Sequence, residues 1–186
     1  SYKLHLMLLL AASNMNSEAF AKFKSILESV VYYTVIDKIA TNITERTFAL
    51  WCRDVRNIVT AEDLDCFVKN TIIPTVNDWK LDNKSNFLRL GLNSMQQYRI
   101  KFILGKITAY VDALKLGKTT VEDLTTYTET AVEIEHIMPQ ACTDKGLYGM
   151  NEEEFSVYIN RLGNLTLLEN TINRSIQNDV YANKAT

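Results

Sequence analysis

Two short segments near the end of the chain carry side chains suited to cutting a phosphodiester bond. Glu135 and His136 open the segment EHIMPQ, where a run of alternating apolar and polar residues ends. A second apolar run follows at residues 163–168 (GNLTLL), and Asn173 lies nine residues after Asn164. A histidine that accepts a proton, together with carboxylate and amide oxygens that bind a hard cation, is what a one-metal phosphodiesterase needs.

Each of these side chains suits one task in that chemistry. A histidine with an ordinary pKa of about 6.5 is partly neutral at pH 7, so His136 suits the base that deprotonates water. Glu135 and Asn173 carry oxygen ligands of the kind that Mg²⁺ or Mn²⁺ accepts alongside several waters. Asn164 is better interpreted as structural, because its amide can hydrogen-bond loop backbone and hold the loop that carries the histidine. Adjacent strand residues face opposite sides, so Glu135 and His136 share one site only if the strand bends, which Pro139 favours.

The elements that position these residues can be predicted from the spacing of apolar residues. Before about residue 130 the spacing is helical. Thr60, with an acidic residue three positions later, is predicted to open a helix that Pro74 stops. Ser94 is predicted to cap a long helix that ends near Leu116. The first part of the chain is therefore predicted to be a helical, bundle-like region.

After about residue 130 the pattern changes. Residues 131–137 alternate with a period of two, as a half-buried strand does. A short acidic helix is predicted over residues 151–160, a second strand over residues 165–168 and a helix over residues 170–181. The chain is thus predicted to be mainly α and to divide into two parts. Residues 1–129 form a helical region, a candidate DNA-binding or scaffold part, and residues 130–186 form a strand–loop–strand–helix motif.

Composition and charge limit the classes of function. With 47% hydrophobic and 23% charged residues, the chain can bury a core like an ordinary globular protein. The formal net charge of −2 does not indicate a strong nucleic-acid binder. The balance is uneven: residues 1–129 carry 16 Lys and Arg against 14 Asp and Glu, whereas residues 130–186 carry 4 against 8. The C-terminal part is therefore acidic, as a cation site can be.

Two further observations concern the compartment. The apolar run at residues 4–12 is too short to span a bilayer, so no membrane association is predicted. The three cysteines are odd in number and form no CxxC pair, which is typical of reduced thiols. We therefore expect a cytoplasmic protein.

The segments EHIMPQ and RLGNLTLL, followed by an asparagine nine residues after Asn164, resemble the C-terminal nuclease domain of GmrSD-type proteins. These are type IV, modification-dependent restriction proteins. The resemblance implies a ββα-metal motif of the His-Me finger (HNH) group. It implies that His136 is the general base, that Glu135 and Asn173 bind one Mg²⁺ or Mn²⁺, and that Asn164 supports the site. The implied activity is nicking of double-stranded DNA by a prokaryotic defence protein.

The resemblance also carries expectations about partners. The family's usual N-terminal ParB-like, nucleotide-hydrolysing domain has no counterpart in this sequence and is expected elsewhere in the same protein. The family usually continues with more helix beyond the position of Thr186, so we expect the motif to be truncated. One site cuts one strand, and a break in both strands would need a homodimer or repeated events. Weaker candidates for contact with DNA phosphates are Arg161, Arg174 and Lys184.

Two alternatives stay open at this point. The first is a catalytically silent helical module that binds DNA or docks a subunit, which the acidic C-terminal part and the lack of an obvious basic stripe favour. The second is an RNase of the same group, because the proposed groups act on the phosphodiester and not on the sugar. Metal-dependent cleavage would separate the enzyme from the module.

Overall fold

The computed structural model describes residues 3–117, 124–141 and 145–176. It is mainly helical with one small antiparallel sheet, which confirms the predicted fold class at that level. The chain divides into two compact units, residues 1–87 and 88–186. The predicted boundary near residue 130 therefore lies within the second unit.

The first unit is built from helices around one apolar core. Its elements are α1 (Leu4–Ala11), α2 (Ser17–Ile36), α3 (Thr41–Val55), α4 (Ala61–Phe67) and α5 (Ile73–Asp78), followed by α6 (Asn83–Leu88), which crosses the boundary. Helix α3 buries Thr44, Phe48, Trp51 and Val55, which lie three or four residues apart and therefore share one face. The Trp51 ring stacks on Phe48 at a centroid distance of 5.5 Å, and α3 packs against α1.

The predicted helix stop at Pro74 is wrong. Between α4 and α5 the chain continues as a π turn, Val68–Ile72, and Pro74 lies in the first turn of α5. A proline is tolerated there because the first N–H groups of a helix have no intrahelical partner. The π turn supplies the change in hydrogen bonding that separates the two α-helical segments.

The predicted start of α4 is confirmed by a reciprocal capping box. Thr60 accepts from the Asp63 amide, and the Asp63 carboxylate accepts from the Thr60 amide at 3.0 Å. The backbone and hydroxyl hydrogen bonds from Thr60, with a smaller one from Val59, hold the pKa of Asp63 below its ordinary value. A lowered folded-state pKa stabilises the fold above the unfolded pKa of about 3.9 and stops doing so as pH falls through the folded value.

We therefore expect Asp63→Asn to lower the free energy of unfolding near neutral pH and to cost progressively less as pH falls below about 4. Denaturant titrations of both proteins from pH 7 to pH 3 would measure this convergence. Asp78→Asn, which removes an exposed acid at the end of α5, is the matched control for the loss of one carboxylate. A constant difference between the wild type and Asp63→Asn at all pH values would contradict the prediction.

The second unit contains the sheet. Its elements are α7 (Gln97–Lys115), α8 (Thr125–Thr128), β1 (Val132–His136), a 3-10 turn at Lys145–Tyr148, α9 (Glu152–Tyr158), a 3-10 turn at Leu162–Asn164, β2 (Leu165–Glu169) and α10 (Asn170–Ile176). The strands pair antiparallel, with Val132 opposite Glu169 and His136 opposite Leu165. Helix α7 packs against β2, and α10 follows β2 directly and packs against both strands.

The order of strand, loop, strand and helix matches the sequence-based prediction, including the short acidic helix α9 between the strands. Asn151 caps α9 in a second capping box with Glu154, where the Asn151 Oδ1 accepts from the Glu154 amide at 2.9 Å. The predicted helix at residues 170–181 is present as α10 up to Ile176, and its remaining residues lie outside the described part of the chain. Ser94, predicted to cap α7, instead accepts a hydrogen bond from the Gly91 amide at 3.0 Å, and α7 begins at Gln97.

Candidate active site

His136 is the last residue of β1 and is 8% exposed. Its Nε2 lies 3.2 Å from Oδ1 of Asn160 and 3.3 Å from Nε2 of Gln140. Asn160 follows α9, and Gln140 lies four residues after the histidine in the loop that leaves β1. The ring edge that carries Nε2 is therefore fixed between two amide side chains.

The two contacts of Nε2 call for different tautomers. An Nε2–H group donates to the Asn160 oxygen and leaves the lone pair on Nδ1, whereas an unprotonated Nε2 accepts from the Gln140 amide and leaves the proton on Nδ1. Only the first tautomer offers Nδ1 as a proton acceptor. A histidine base at this position is therefore consistent with the Asn160 contact, in which Nε2 carries the proton.

Asn160 is held from its other side by the segment that precedes α7. The Leu92 amide donates to the Asn160 carbonyl oxygen at 2.8 Å, and the Leu162 amide donates to the Leu90 carbonyl oxygen at 2.7 Å. Between them, Gly91 pairs with Arg161 as an isolated antiparallel bridge. Main-chain hydrogen bonds on both sides thus fix the position from which the Asn160 side chain reaches the histidine.

Gly91 is predicted to tolerate no side chain. A Cβ at this position would collide with the Asn160 carbonyl oxygen and would lie 3.2 Å from the Arg161 Cα, and both of these are backbone atoms that cannot rotate away. We expect Gly91→Ala to cost about 1–3 kcal/mol of unfolding free energy, the usual range for overpacking, and to displace Asn160. Denaturant unfolding would measure the loss.

Gly163→Ala is the matched control for that prediction, because a Cβ at Gly163 would meet no atom within 4 Å. It should leave stability nearly unchanged. Equal stability of Gly91→Ala and the wild type would show that the segment moves aside freely.

Asn164 is buried and hydrogen-bonds three main-chain groups with its side chain. Its Oδ1 accepts from the Met138 amide at 2.8 Å, and its Nδ2 donates to the Ile159 carbonyl at 2.7 Å and to the Met138 carbonyl at 3.4 Å. Its own carbonyl accepts from the Ile137 amide at 2.9 Å. The hydrogen bonds to loop backbone expected of Asn164 are therefore present, and they join the segment after His136 to the end of α9.

Glu135 and Asn173 lie in β1 and α10, which pack against each other. The described hydrogen bond of Asn173 involves a different carboxylate: its Nδ2 donates to Glu133 Oε2 at 3.0 Å. Glu133 and Glu135 are two residues apart in β1 and therefore share one face of the strand. All three side chains are half-buried, and α10 packs against β1. The pairing of β1 with β2 is regular through His136, so His136 lies on the opposite face of the strand from Glu135, and the bend expected to bring the two together is not present within β1.

Comparison with models of known protein families identifies the family of the chain. The model for the C-terminal domain of GmrSD restriction endonucleases matches residues 75–186, which is more than half of the chain. The chain belongs to this family. Comparison with the curated proteins and with the solved structures gives no match. The family gives the chain a nuclease role in restriction, with DNA as the substrate.

The weaker DNA-contact candidates of this GmrSD-family domain lie in different surroundings. The Arg161 guanidinium lies over the Tyr158 ring, 4.6 Å from its centroid, and is half-buried. Arg174 is exposed on α10, next to Asn173. Lys184 lies outside the described residues.

No helix among the described residues is long and apolar enough to cross a membrane.

Carboxylate and amide oxygens such as those of Glu135 and Asn173 are the kind of ligand that Mg²⁺ accepts. Among residues 3–117, 124–141 and 145–176, no three His, Cys, Asp or Glu side chains are grouped to hold a metal ion. Mg²⁺ does not require such a group, because it keeps several waters and takes one or two carboxylates together with substrate phosphates. The Asn173 amide uses its nitrogen toward Glu133, so its oxygen is the atom left to serve as a ligand.

Three residues of this site were missed by sequence reasoning. Asn160 and Gln140 contact His136, and Glu133 contacts Asn173. Two of them had a signal in the sequence: Glu133 shares a strand face with Glu135, and Gln140 lies within the EHIMPQ segment itself. Asn160 had none, because its contact with the histidine depends on how α9 folds back.

Proposed function

We propose that the chain is a His-Me finger (HNH-type) DNA endonuclease domain that nicks double-stranded DNA with the help of one divalent cation. The observation that carries this proposal is the buried His136 at the end of β1, with Nε2 at the Asn160 oxygen. The contact of Nε2 with Asn160 orients the ring, and a neutral imidazole whose Nε2 carries the proton has its lone pair on Nδ1. In a chain of a restriction endonuclease family, general-base activation of water is the chemistry that this arrangement supports best.

In this proposal, Nε2 of His136 donates to Asn160 and Nδ1 takes the proton from the attacking water. A positioned base of this kind contributes roughly 10² to 10⁴ in rate. Asn164 supports the site by hydrogen bonds that join the backbone of Ile137 and Met138 to the end of α9. These bonds fix the course of the chain directly after His136. The role of Asn164 is positional, since its polar atoms are occupied by main-chain groups.

Glu135 and the Oδ1 of Asn173 would hold the cation, Mg²⁺ or Mn²⁺. When bound, such a cation neutralises negative charge that builds on the phosphate and on the leaving 3′ oxygen. The packing of α10 on β1 and the acidic face of that strand support the assignment.

The proposed function also requires contacts with DNA and with another domain of the same protein. Arg161, Arg174 and Lys184 would contact phosphates of the DNA backbone, which positions a duplex without reading its sequence. One site cuts one strand, so a double-strand break would need a homodimer or two events. A ParB-like, nucleotide-hydrolysing domain of the same protein would select the target, in the cytoplasm of a prokaryotic cell that uses the protein against phage.

Incubation of the chain with supercoiled plasmid, in Mg²⁺, in Mn²⁺ or in a chelator, tests the proposal. We expect open-circular product with either metal and none with the chelator. Cleavage in the chelator would contradict the cation requirement, and linear product without an open-circular intermediate would contradict nicking. A parallel incubation with single-stranded and duplex RNA tests which nucleic acid is the substrate. Cleavage of RNA alone would show that the chain is an RNase and not a DNase.

One observation favours a second candidate, a catalytically silent module that docks a subunit. Residues 130–186 carry 4 basic and 8 acidic residues, which opposes the approach of a polyanion. The same incubations decide between the two, since the absence of cleavage in every metal would support the module.

A further inference from the structure

One side-chain contact in the second unit is not explained by the roles assigned so far. Asn173 Nδ2 donates to Glu133 Oε2 at 3.0 Å, and the two residues lie 40 positions apart, in α10 and β1. Both side chains are half-buried. A hydrogen bond to a carboxylate is stronger than one between neutral groups, so this contact favours one arrangement of the two side chains.

The chemistry of the two groups makes this contact directional. A carboxylate only accepts hydrogen bonds, whereas an asparagine amide donates through nitrogen and accepts through oxygen. Glu133 therefore favours the amide orientation in which Nδ2 faces the strand, and it repels the orientation in which Oδ1 does. The Asn173 oxygen is consequently turned away from Glu133.

We infer that Glu133 is a positioning residue that fixes the Asn173 amide so that its oxygen is presented to the divalent cation. This inference rests on the proposed function. Glu133 and Glu135 share one face of β1, so the positioning carboxylate and the proposed cation ligand lie on the side that α10 covers. Partners that orient a metal ligand in this way typically change metal affinity by about 10-fold to 100-fold when they are removed.

Two simpler roles for Glu133 predict different behaviour. If the contact only fastens α10 to β1, its loss lowers thermal stability and leaves the affinity for a cation unchanged. If Glu133 binds the cation directly, replacement of its carboxylate by an amide weakens binding as much as removal of the whole side chain. A positioning residue is distinguished from both, because glutamine retains an oxygen that accepts from Asn173.

The experiment measures Mn²⁺ binding to the full chain by titration calorimetry or by the electron paramagnetic resonance signal of free Mn²⁺. We expect Glu133→Ala to weaken binding by about 10-fold to 100-fold and Glu133→Gln to weaken it clearly less. The matched control is Glu169→Ala, which removes an exposed acid from the end of β2 and should bind like the wild type. Equal affinity of Glu133→Ala and the wild type would overturn the inference, as would equal losses in Glu133→Ala and Glu133→Gln.

A double-mutant cycle tests whether Glu133 acts through Asn173. In the Asn173→Ala background, Glu133→Ala should produce no further loss of Mn²⁺ affinity, and an additive loss would contradict the inference. Failure of the proposed function gives a different result: a wild-type chain that binds no Mn²⁺ and cuts no plasmid overturns both ideas. A wild type that binds and cuts, with Glu133→Ala indistinguishable from it, overturns the positioning role alone.

Discussion

His136→Ala should reduce metal-dependent nicking of supercoiled plasmid by about 10² to 10⁴, the usual contribution of a positioned general base. The loss arises because alanine provides no group to take the proton from water, while the proposed cation ligands in β1 and α10 are unchanged. The measurement is the initial rate of open-circle formation in saturating Mg²⁺ or Mn²⁺. Affinity for Mn²⁺ should stay close to that of the wild type, since the histidine is not a proposed ligand.

The other histidine of the chain offers a matched control. His5 lies in α1, within the first unit, and His5→Ala should retain the nicking rate. His136 is buried, so its variant also needs a check of folding by circular dichroism and thermal unfolding. Undiminished nicking by a folded His136→Ala protein would show that His136 is not the general base.

Asn164→Ala should lower the free energy of unfolding by about 2–4 kcal/mol. The substitution leaves the Met138 amide and the Ile159 carbonyl without their described partner, and each buried polar group left unsatisfied costs about 1–3 kcal/mol. Denaturant unfolding, with a probe that reports the second unit, measures the loss. Nicking should fall as well, because the segment after His136 loses its attachment to the end of α9.

Asn151→Ala is a suitable control for Asn164→Ala. It removes an exposed asparagine from the same unit, where the side chain makes a helix-capping hydrogen bond, and should cost about 1 kcal/mol. An Asn164→Ala protein no less stable than Asn151→Ala would show that water replaces the lost partners and that the asparagine is not a structural support.

The sequence was sufficient to predict elements whose signal is local. Alternation over residues 131–137 predicted β1, and Thr60 with an acidic residue three positions later predicted the start of α4. The short acidic helix predicted over residues 151–160 is present as α9. The prediction failed at Pro74, where a π turn admits the proline into the first turn of a new helical segment. It also failed at Ser94, whose hydroxyl bonds the Gly91 amide and not the start of α7.

The residues of the candidate site were predictable from the sequence, but the contacts that orient them were not. Residue type and spacing singled out His136, Glu135, Asn164 and Asn173, and the roles of these residues in catalysis and cation binding stay predictions. The contacts that orient them were not predictable: Asn160 reaches His136 only through the folding back of α9, and the position of Glu133 on the same strand face as Glu135 did not indicate that Asn173 of α10 would be its partner. Such contacts depend on tertiary structure, which leaves no periodic trace in the sequence.

The bridge between Gly91 and Arg161 has a consequence for how small an autonomous nuclease fragment can be. A fragment limited to residues 130–186 would keep both strands and α10 but would lose the Leu90 carbonyl and the Leu92 amide. Asn160 would then have no main-chain anchor on that side, and the imidazole would face an amide free to rotate into solvent. Excision of the motif for transfer into another protein should therefore begin before Leu90.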